Sequence, residues 1–312
     1  MTTVFGSVPS RRLGRSLGID VVPPKTCSMD CVYCESGPTT CLTLERKPFV
    51  EPGKVLRDLD THFSRYPQSA EVLTFSSAGE PTLYEPLGEL IRAVKKRFPV
   101  LPVIVLTNGS LLWDSRVRAD LTAADRVVPS LDAVSEEVFQ KLNRPHGRLT
   151  ASLMLEGLEA LAKDYSGQLH VEVMLVSGMN DTPQEMEALG RFLRRVDPER
   201  VELNTVVRPP SEPGTTGLSP EAMQRAARFF PDGISRIIGR YQGGAVMQPE
   251  ANLPARMLSL VKRRPCTMDE MILSLGVSPE EAAQALKKLE DSRRVGRYAL
   301  HGREYICPRS RT

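Results

Sequence analysis

Six short apolar, β-branched runs, at residues 16–22, 72–75, 103–106, 126–131, 170–176 and 201–207, are separated by stretches with helical spacing. The runs lack strict alternation, which suits strands covered on both faces in a parallel sheet. Helices are predicted over residues 52–65, 84–98, 135–143, 150–164 and 183–195. In the fourth of these, Thr150 is placed to cap, and Leu153, Leu158 and Leu161 fall near one face. Strand–helix alternation of this kind predicts an α/β fold around a parallel sheet. Ligands of such a sheet sit at the carboxyl ends of its strands, so the loops there are where chemistry is expected.

After the sixth run, Arg208-Pro209-Pro210-Ser211-Glu212-Pro213-Gly214 caps the sheet and a helix is predicted over residues 219–230. Residues 231–252 are Gly-rich and read as a connector. From Pro254 the pattern changes. Pro254 suits a first helical position, and Thr267 with Glu270 and Ser278 with Glu281 form two capping boxes. Two apolar-rich runs flanking His301-Gly302 then predict a hairpin. Three helices and a hairpin form a winged-helix pattern. The expected organisation is a barrel-like domain over residues 1–230, a connector over 231–252 and a winged-helix-like domain over 253–312.

A chain of 312 residues with 41% hydrophobic and 25% charged residues has material for one large core and a small one. The N-terminus shows no signal-peptide pattern and no run is long enough to cross a membrane, so a cytoplasmic protein without membrane contact is expected. The net charge of +3 is unevenly placed: residues 251–312 carry 12 Lys/Arg against 7 Asp/Glu, and residues 1–250 carry 29 against 31. The tail is basic and the body slightly acidic.

Three of the six cysteines fall in Cys27-Ser28-Met29-Asp30-Cys31-Val32-Tyr33-Cys34, directly after the first strand. This is not a secreted disulfide framework but a thiolate site for a reducing compartment. Three thiolates on one loop can hold three irons of a cubane and leave the fourth open for chemistry. The alternative is a closed zinc site of Cys27, Cys31, Cys34 and Cys41. Cys41 otherwise reads as a spare thiol, a second active-site group or, first among these, a buried small hydrophobe, and Cys266 and Cys307 carry no assigned chemistry.

The C-x3-C-x2-C loop, with Tyr33 before its last cysteine, resembles the signature of the radical S-adenosylmethionine (SAM) superfamily. The resemblance implies a partial (β/α)6 barrel in which Cys27, Cys31 and Cys34 bind a [4Fe-4S] cluster. SAM would chelate the open iron, and Tyr33 would lie against its adenine. Reductive cleavage would release a 5′-deoxyadenosyl radical that abstracts hydrogen from a substrate, with a flavodoxin or ferredoxin supplying the electron. Ser77-Ala78-Gly79-Glu80-Pro81 looks like the superfamily's Gly-Gly-Glu-Pro element with Ala78 for the first glycine. By resemblance Gly79, Glu80 and Pro81 border the cofactor and Glu80 binds the methionine ammonium.

Later strand ends add further candidates. Asn108, in the turn Thr107-Asn108-Gly109, is either near the cofactor or part of an ordinary β-turn. Ser130 and Asp132 alternate with Leu131 and suit the ribose hydroxyls or the methionine carboxylate; a helix cap is the other reading. Asn180 is assigned to the adenosine, and Asp181 to a helix cap. Arg208 suits an anionic substrate group, as do Arg11 and Arg12 before the first strand. His146 reads as a proton donor, a substrate contact or a structural group. The segment from Ser10 to Asp20, with Asn143-Arg144-Pro145-His146 and Arg208-Pro209-Pro210, is similar to a subgroup placed with the wyosine tRNA-base synthetases, although the flavodoxin-like domain some of those carry is missing. Three functions follow: tRNA modification with the winged helix gripping RNA, radical chemistry on a small molecule or peptide, or an iron–sulfur or zinc sensor that binds DNA.

Overall fold

The computed structural model describes residues 2–10, 12–76, 78–238 and 252–309. The chain opens with strands β1 (Val4–Ser10) and β2 (Gly14–Ile19), then two short strands, β3 (Thr26–Cys27) and β4 (Cys41–Leu42), that bracket the cysteine loop. There follow α1 (Pro52–Arg65), β5 (Val72–Phe75), α2 (Leu87–Arg97), β6 (Val103–Thr107), α3 (Ser115–Leu121) and β7 (Arg126–Pro129). Next come α4 (Glu136–Asn143), α5 (Ala151–Asp164), β8 (Gln168–Leu175), α6 (Pro183–Val196), β9 (Arg200–Thr205), α7 (Pro220–Ala227) and β10 (Ser235–Ile237). The C-terminal module holds α8 (Leu253–Arg263), α9 (Met268–Leu275), α10 (Pro279–Asp291) and the hairpin β11 (Val295–Leu300) and β12 (Arg303–Pro308).

The main sheet has eight strands in the order β1-β2-β5-β6-β7-β8-β9-β10. It is mostly parallel: β1 alone runs antiparallel to its neighbour. All six predicted strands are present, and two edge strands join them. β1 was not foreseen, and β10 lies within the expected connector, most of which (239–251) is outside the described residues. Edge strands of this kind are short or irregular, so their sequences carry little periodic signal. The helix α3 is also additional to the expected set.

Alternation, weak in the sequence, is plain in the packing. Leu17, Ile19, Leu73, Phe75, Val103, Val105, Val171, Val173, Val201 and Leu203 join Val55, Leu59, Leu90, Ile91, Leu161 and Leu193 of the helices in the main core. On the other face, Ile104 and Val128 form a small apolar floor with Leu13. That inner face turns polar on β8 and β9, where His170, Glu172, Glu202 and Asn204 alternate with the core residues. Capping follows the sequence closely. Thr150 accepts from Leu153 N, both predicted capping boxes form, and His301 and Gly302 turn the hairpin with positive φ. Thr182 caps α6, whereas Asp181 binds Gly178 N one turn earlier.

The C-terminal module has its own core, built on Met257, Val261, Met271, Ala282, Leu286 and Ile306. Val8 of β1 packs against it, and the Arg263 guanidinium stacks on Phe5 at 4.4 Å. Among the described residues no helix is long and apolar enough to cross a membrane.

Candidate active site

The cysteine loop is closed by its own backbone. Thr40 N and Cys41 N both donate to Lys25 O, Thr43 N donates to Cys27 O, and Lys25 takes a left-handed conformation (φ 65°) to allow it. Cys27, Cys31 and Cys34 are half-buried. Each sulfur has one side-chain N–H beside it: Asn108 Nδ2 at 3.4 Å from Cys27, Asn143 Nδ2 at 3.5 Å from Cys31, and Lys25 Nζ at 3.6 Å from Cys34. Burial and the nearby Glu80 carboxylate push the Cys27 thiol up to about 12, and burial with Asp132 pushes Cys31 well above its ordinary value. Both shifts favour the neutral thiol.

Cys41 is exposed, not a buried small hydrophobe. It lies on β4, paired with Thr26, while Cys27 faces Leu42. Among the described residues no three His, Cys, Asp or Glu side chains converge as ligands of one metal ion. Three half-buried cysteine thiols on one loop are the donor set that a [4Fe-4S] group with one open iron takes.

The segment after β5 is fastened to this loop. Lys25 N donates to Ala78 O and Glu80 N to Thr26 O, and a Cβ on Gly79 would lie 2.1 Å from Thr26 O. Pro81 opens a 3-10 turn, and Glu80 caps it. Glu80 Oε1 accepts from Thr82 N, Thr82 Oγ1 and Thr107 Oγ1, and Oε2 from Asn108 N at 2.7 Å. All these donors are neutral. Burial raises the Glu80 carboxyl above its usual range even so. Oε2 keeps a lone pair for one more donor, and a cation is the partner such a carboxylate lacks.

Across the mouth, Tyr33 OH donates to Asp132 Oδ2, which also accepts from Asn143 Nδ2 at 2.9 Å, and Asp132 Oδ1 accepts from Met174 N. Burial lifts the Asp132 carboxyl to about 6. Asn108, Ser130, Asp132 and Asn143 line one small cavity with Tyr33 and Met29. Asn180 does not join them. Fully buried, it binds Val176 N through Oδ1 and the carbonyls of Asp132 and Met174 through Nδ2, all at 2.8 Å. Its amide staples the β8–α6 loop, which corrects the expected adenosine contact.

The arginines also land differently. Arg12 points into the sheet's inner face, 2.6 Å from Glu172 and 3.0 Å from Glu202, and Glu202 also meets His170. Although burial opposes its charge, the two carboxylates raise the Arg12 pKa. It ties β8 to β9 and, partly exposed, also lines the cleft beside Arg208. Replacing it by methionine takes the arginine cation from two largely buried carboxylates, and Arg12→Met is expected to lose about 3–5 kcal/mol in urea unfolding at pH 7. Glu202 lies below its usual range because His170 and Arg12 outweigh its burial. The stabilisation is thus present above the unfolded value of about 4.3 and lost as pH falls through the lower folded one. The difference from the parent protein should narrow below about pH 4. Arg11 and Ser77 lie outside the described residues.

Arg208, 8% exposed, bridges Glu35 at 3.1 Å and Glu270 at 2.9 Å, joining the cysteine loop to α9. The two carboxylates raise its pKa against the effect of burial. Beside it opens a cleft of about 200 Å³ lined from the sheet by Ser16, Thr74, Ser76 and Ala78 and from the module by Leu260, Arg263 and Arg264. His146 is half-buried, with its backbone N on Ser28 O and its Nδ1 accepting from Arg148 N, so it braces the cysteine loop. Sequence reasoning misses Lys25, Glu35, Asn143, Arg263 and Arg264. Only Asn143 leaves a signal, the Asn-Arg-Pro-His step in which Arg144 takes a left-handed turn (φ 43°).

The sequence matches the Radical SAM superfamily over residues 21–193. A UPF0026 protein of Methanocaldococcus jannaschii is 33% identical over 270 residues, covering 85% of this chain and 83% of its own. A protein of Brachyspira hyodysenteriae named GTPase Obg is 30% identical over 305 residues, or 96% of this chain; the chain spans 44% of that relative's length. Among solved structures, TYW1 with a lysine-pyruvate adduct bound superposes with a TM-score of 0.53 at 20% identity, covering 69% of this chain and 73% of the other. That likeness is one of fold.

Proposed function

This chain belongs to the radical SAM superfamily, and we propose that Cys27, Cys31 and Cys34 hold its [4Fe-4S] cluster while the cleft under the C-terminal module receives the substrate. When bound, the cluster and SAM supply one electron and a 5′-deoxyadenosyl radical that takes a hydrogen atom from a C–H bond. The residues around them bind and orient. Glu80 Oε2 accepts the methionine ammonium, the cation its neutral partners do not provide. Gly79 and Pro81 shape the backbone there, Tyr33 flanks the adenine, and Asn108, Ser130 and Asp132 border the nucleoside. Arg208 holds the cysteine loop and the module together beside the cleft.

One observation carries the placement of the substrate. The cleft reaches Ala78, next to Gly79, at one side and Arg263 and Arg264 of the module at the other. A substrate seated there touches both. The module, read as a winged helix over residues 253–312 after a barrel domain and a connector, is then a wall of the site. Its surplus of five cations over residues 251–312 favours a second reading, in which the same wall presents a tRNA base to the cleft. A flavodoxin or ferredoxin would serve as electron donor in the cytoplasm.

The test is anaerobic reconstitution with iron and sulfide, followed by dithionite, SAM and measurement of 5′-deoxyadenosine. Slow release is expected from the protein alone, and faster release with either total tRNA or a tRNA-free metabolite fraction, which decides between the readings. A protein that takes up a cluster yet releases none under any of these conditions would sink the proposal.

A further inference from the structure

We infer that Lys25, Asn108 and Asn143 are a dedicated set of hydrogen-bond donors, one to each cluster thiolate, that sets the reduction potential of the iron–sulfur group. The inference rests on the assignment of Cys27, Cys31 and Cys34 as its ligands. The three donors come from separate places: the turn before β3, the turn after β6, and the last residue of α4. Among the described residues no side-chain nitrogen serves two of these sulfurs and each sulfur has one beside it; the Tyr33 hydroxyl also meets Cys31.

Each donor is held in orientation by its other contacts. Asn108 Oδ1 accepts from Ser110 N at 2.9 Å, so its amide nitrogen is the atom that faces Cys27 and Ser28 Oγ. Asn143 is 4% exposed, and its Nδ2 also donates to Asp132 Oδ2, which fixes the nitrogen toward Cys31. Lys25 Nζ is tied to Gly37 O, the carbonyl at the end of the loop that it closes. Simple packing would be met by apolar groups of the same size. Polar groups in these positions act on charge.

The charge in question is that of the bound group. Reduction adds one electron, taken in the test from dithionite, and breaks no bond. A donor on a thiolate stabilises the more negative state and so raises the potential. Lys25 brings a full positive charge and should have the largest effect; the amides bring dipoles.

Reconstituted Lys25→Met, Asn108→Leu and Asn143→Leu proteins would be titrated anaerobically with dithionite and mediators, following the reduced cluster by electron paramagnetic resonance and counting iron per chain. All three midpoints are expected to fall. Lys25→Met should change the reduced-to-oxidised ratio at fixed potential by about tenfold, which for one electron is about 59 mV. Lys25→Arg should stay near the parent value. Should a leucine disturb folding, Asn108→Asp and Asn143→Asp keep the shape while removing the donor, and must also lower the midpoint. Unmoved midpoints in iron-bearing variants, or a Lys25→Arg protein that falls as far as Lys25→Met, would overturn the inference alone. A parent protein that takes up no iron would overturn the ligand assignment beneath it.

Discussion

Cys27→Ala, Cys31→Ala and Cys34→Ala proteins are each expected to lose the [4Fe-4S] absorbance and to release 5′-deoxyadenosine only at background, while Cys41→Ala behaves as the parent. The four cysteines are close in sequence and differ in setting. The first three are half-buried, and each has a nitrogen donor at 3.4–3.6 Å. Alanine at any of them removes one of the three proposed ligands and leaves that donor facing a void. Cys41 is exposed, and its strand partner is Thr26. The fold should tolerate all four changes, because the loop is closed by backbone bonds from Thr40, Cys41 and Thr43 and not by sulfur. Iron and sulfide counts, with a denaturant midpoint for each protein, separate loss of ligand from loss of fold. A Cys41→Ala protein that also lost its cluster would return the four-thiolate reading to contention.

The second large effect is expected at Gly79→Ala. The new methyl would lie 2.1 Å from Thr26 O and 3.1 Å from both Thr26 C and Val22 Cγ2. The nearest obstruction is backbone, so no rotamer relieves it. Overpacking of this kind costs about 1–3 kcal/mol or more. The strain also separates two segments that work as one, since Glu80 N donates to that same Thr26 O. Glu80 and Cys27 would move apart, and SAM affinity should fall by well over tenfold in equilibrium dialysis against the reconstituted protein. Affinity within twofold of the parent would show that this junction is not part of the cofactor site.

What the sequence made legible were features set by neighbours along the chain. The six strands announced themselves through β-branched runs, Thr150, Thr267 and Ser278 through their spacing to helix starts, and the three cysteines through their spacing to each other. Features set by distant residues were not legible. Arg12 reads as part of a basic arm, and only the register of β8 against β9 shows that Glu172 and Glu202 wait for it. Asn180 sits at a strand end, as a ligand contact would, yet its three bonds are all to its own loop and to Asp132. Asn143 ends α4, and nothing local reveals that Cys31 and Tyr33 lie beside it, more than a hundred residues earlier in the chain. A lone cysteine is usually buried, whereas the short pairing of β3 with β4 leaves Cys41 exposed.

The cleft wall has a consequence for how the protein comes into being. A chain emerges from the ribosome N-terminus first, and domains fold as they appear. Among the described residues the sheet ends with Ile237 of β10, and Leu260, Arg263 and Arg264 follow later. Phe5 and Val8 are made about 250 residues before Arg263 and the module core that cover them. For that interval the cysteine loop stands beside an open mouth. A newborn chain can therefore hold every thiol of the loop and still lack the wall that Leu260, Arg263 and Arg264 supply.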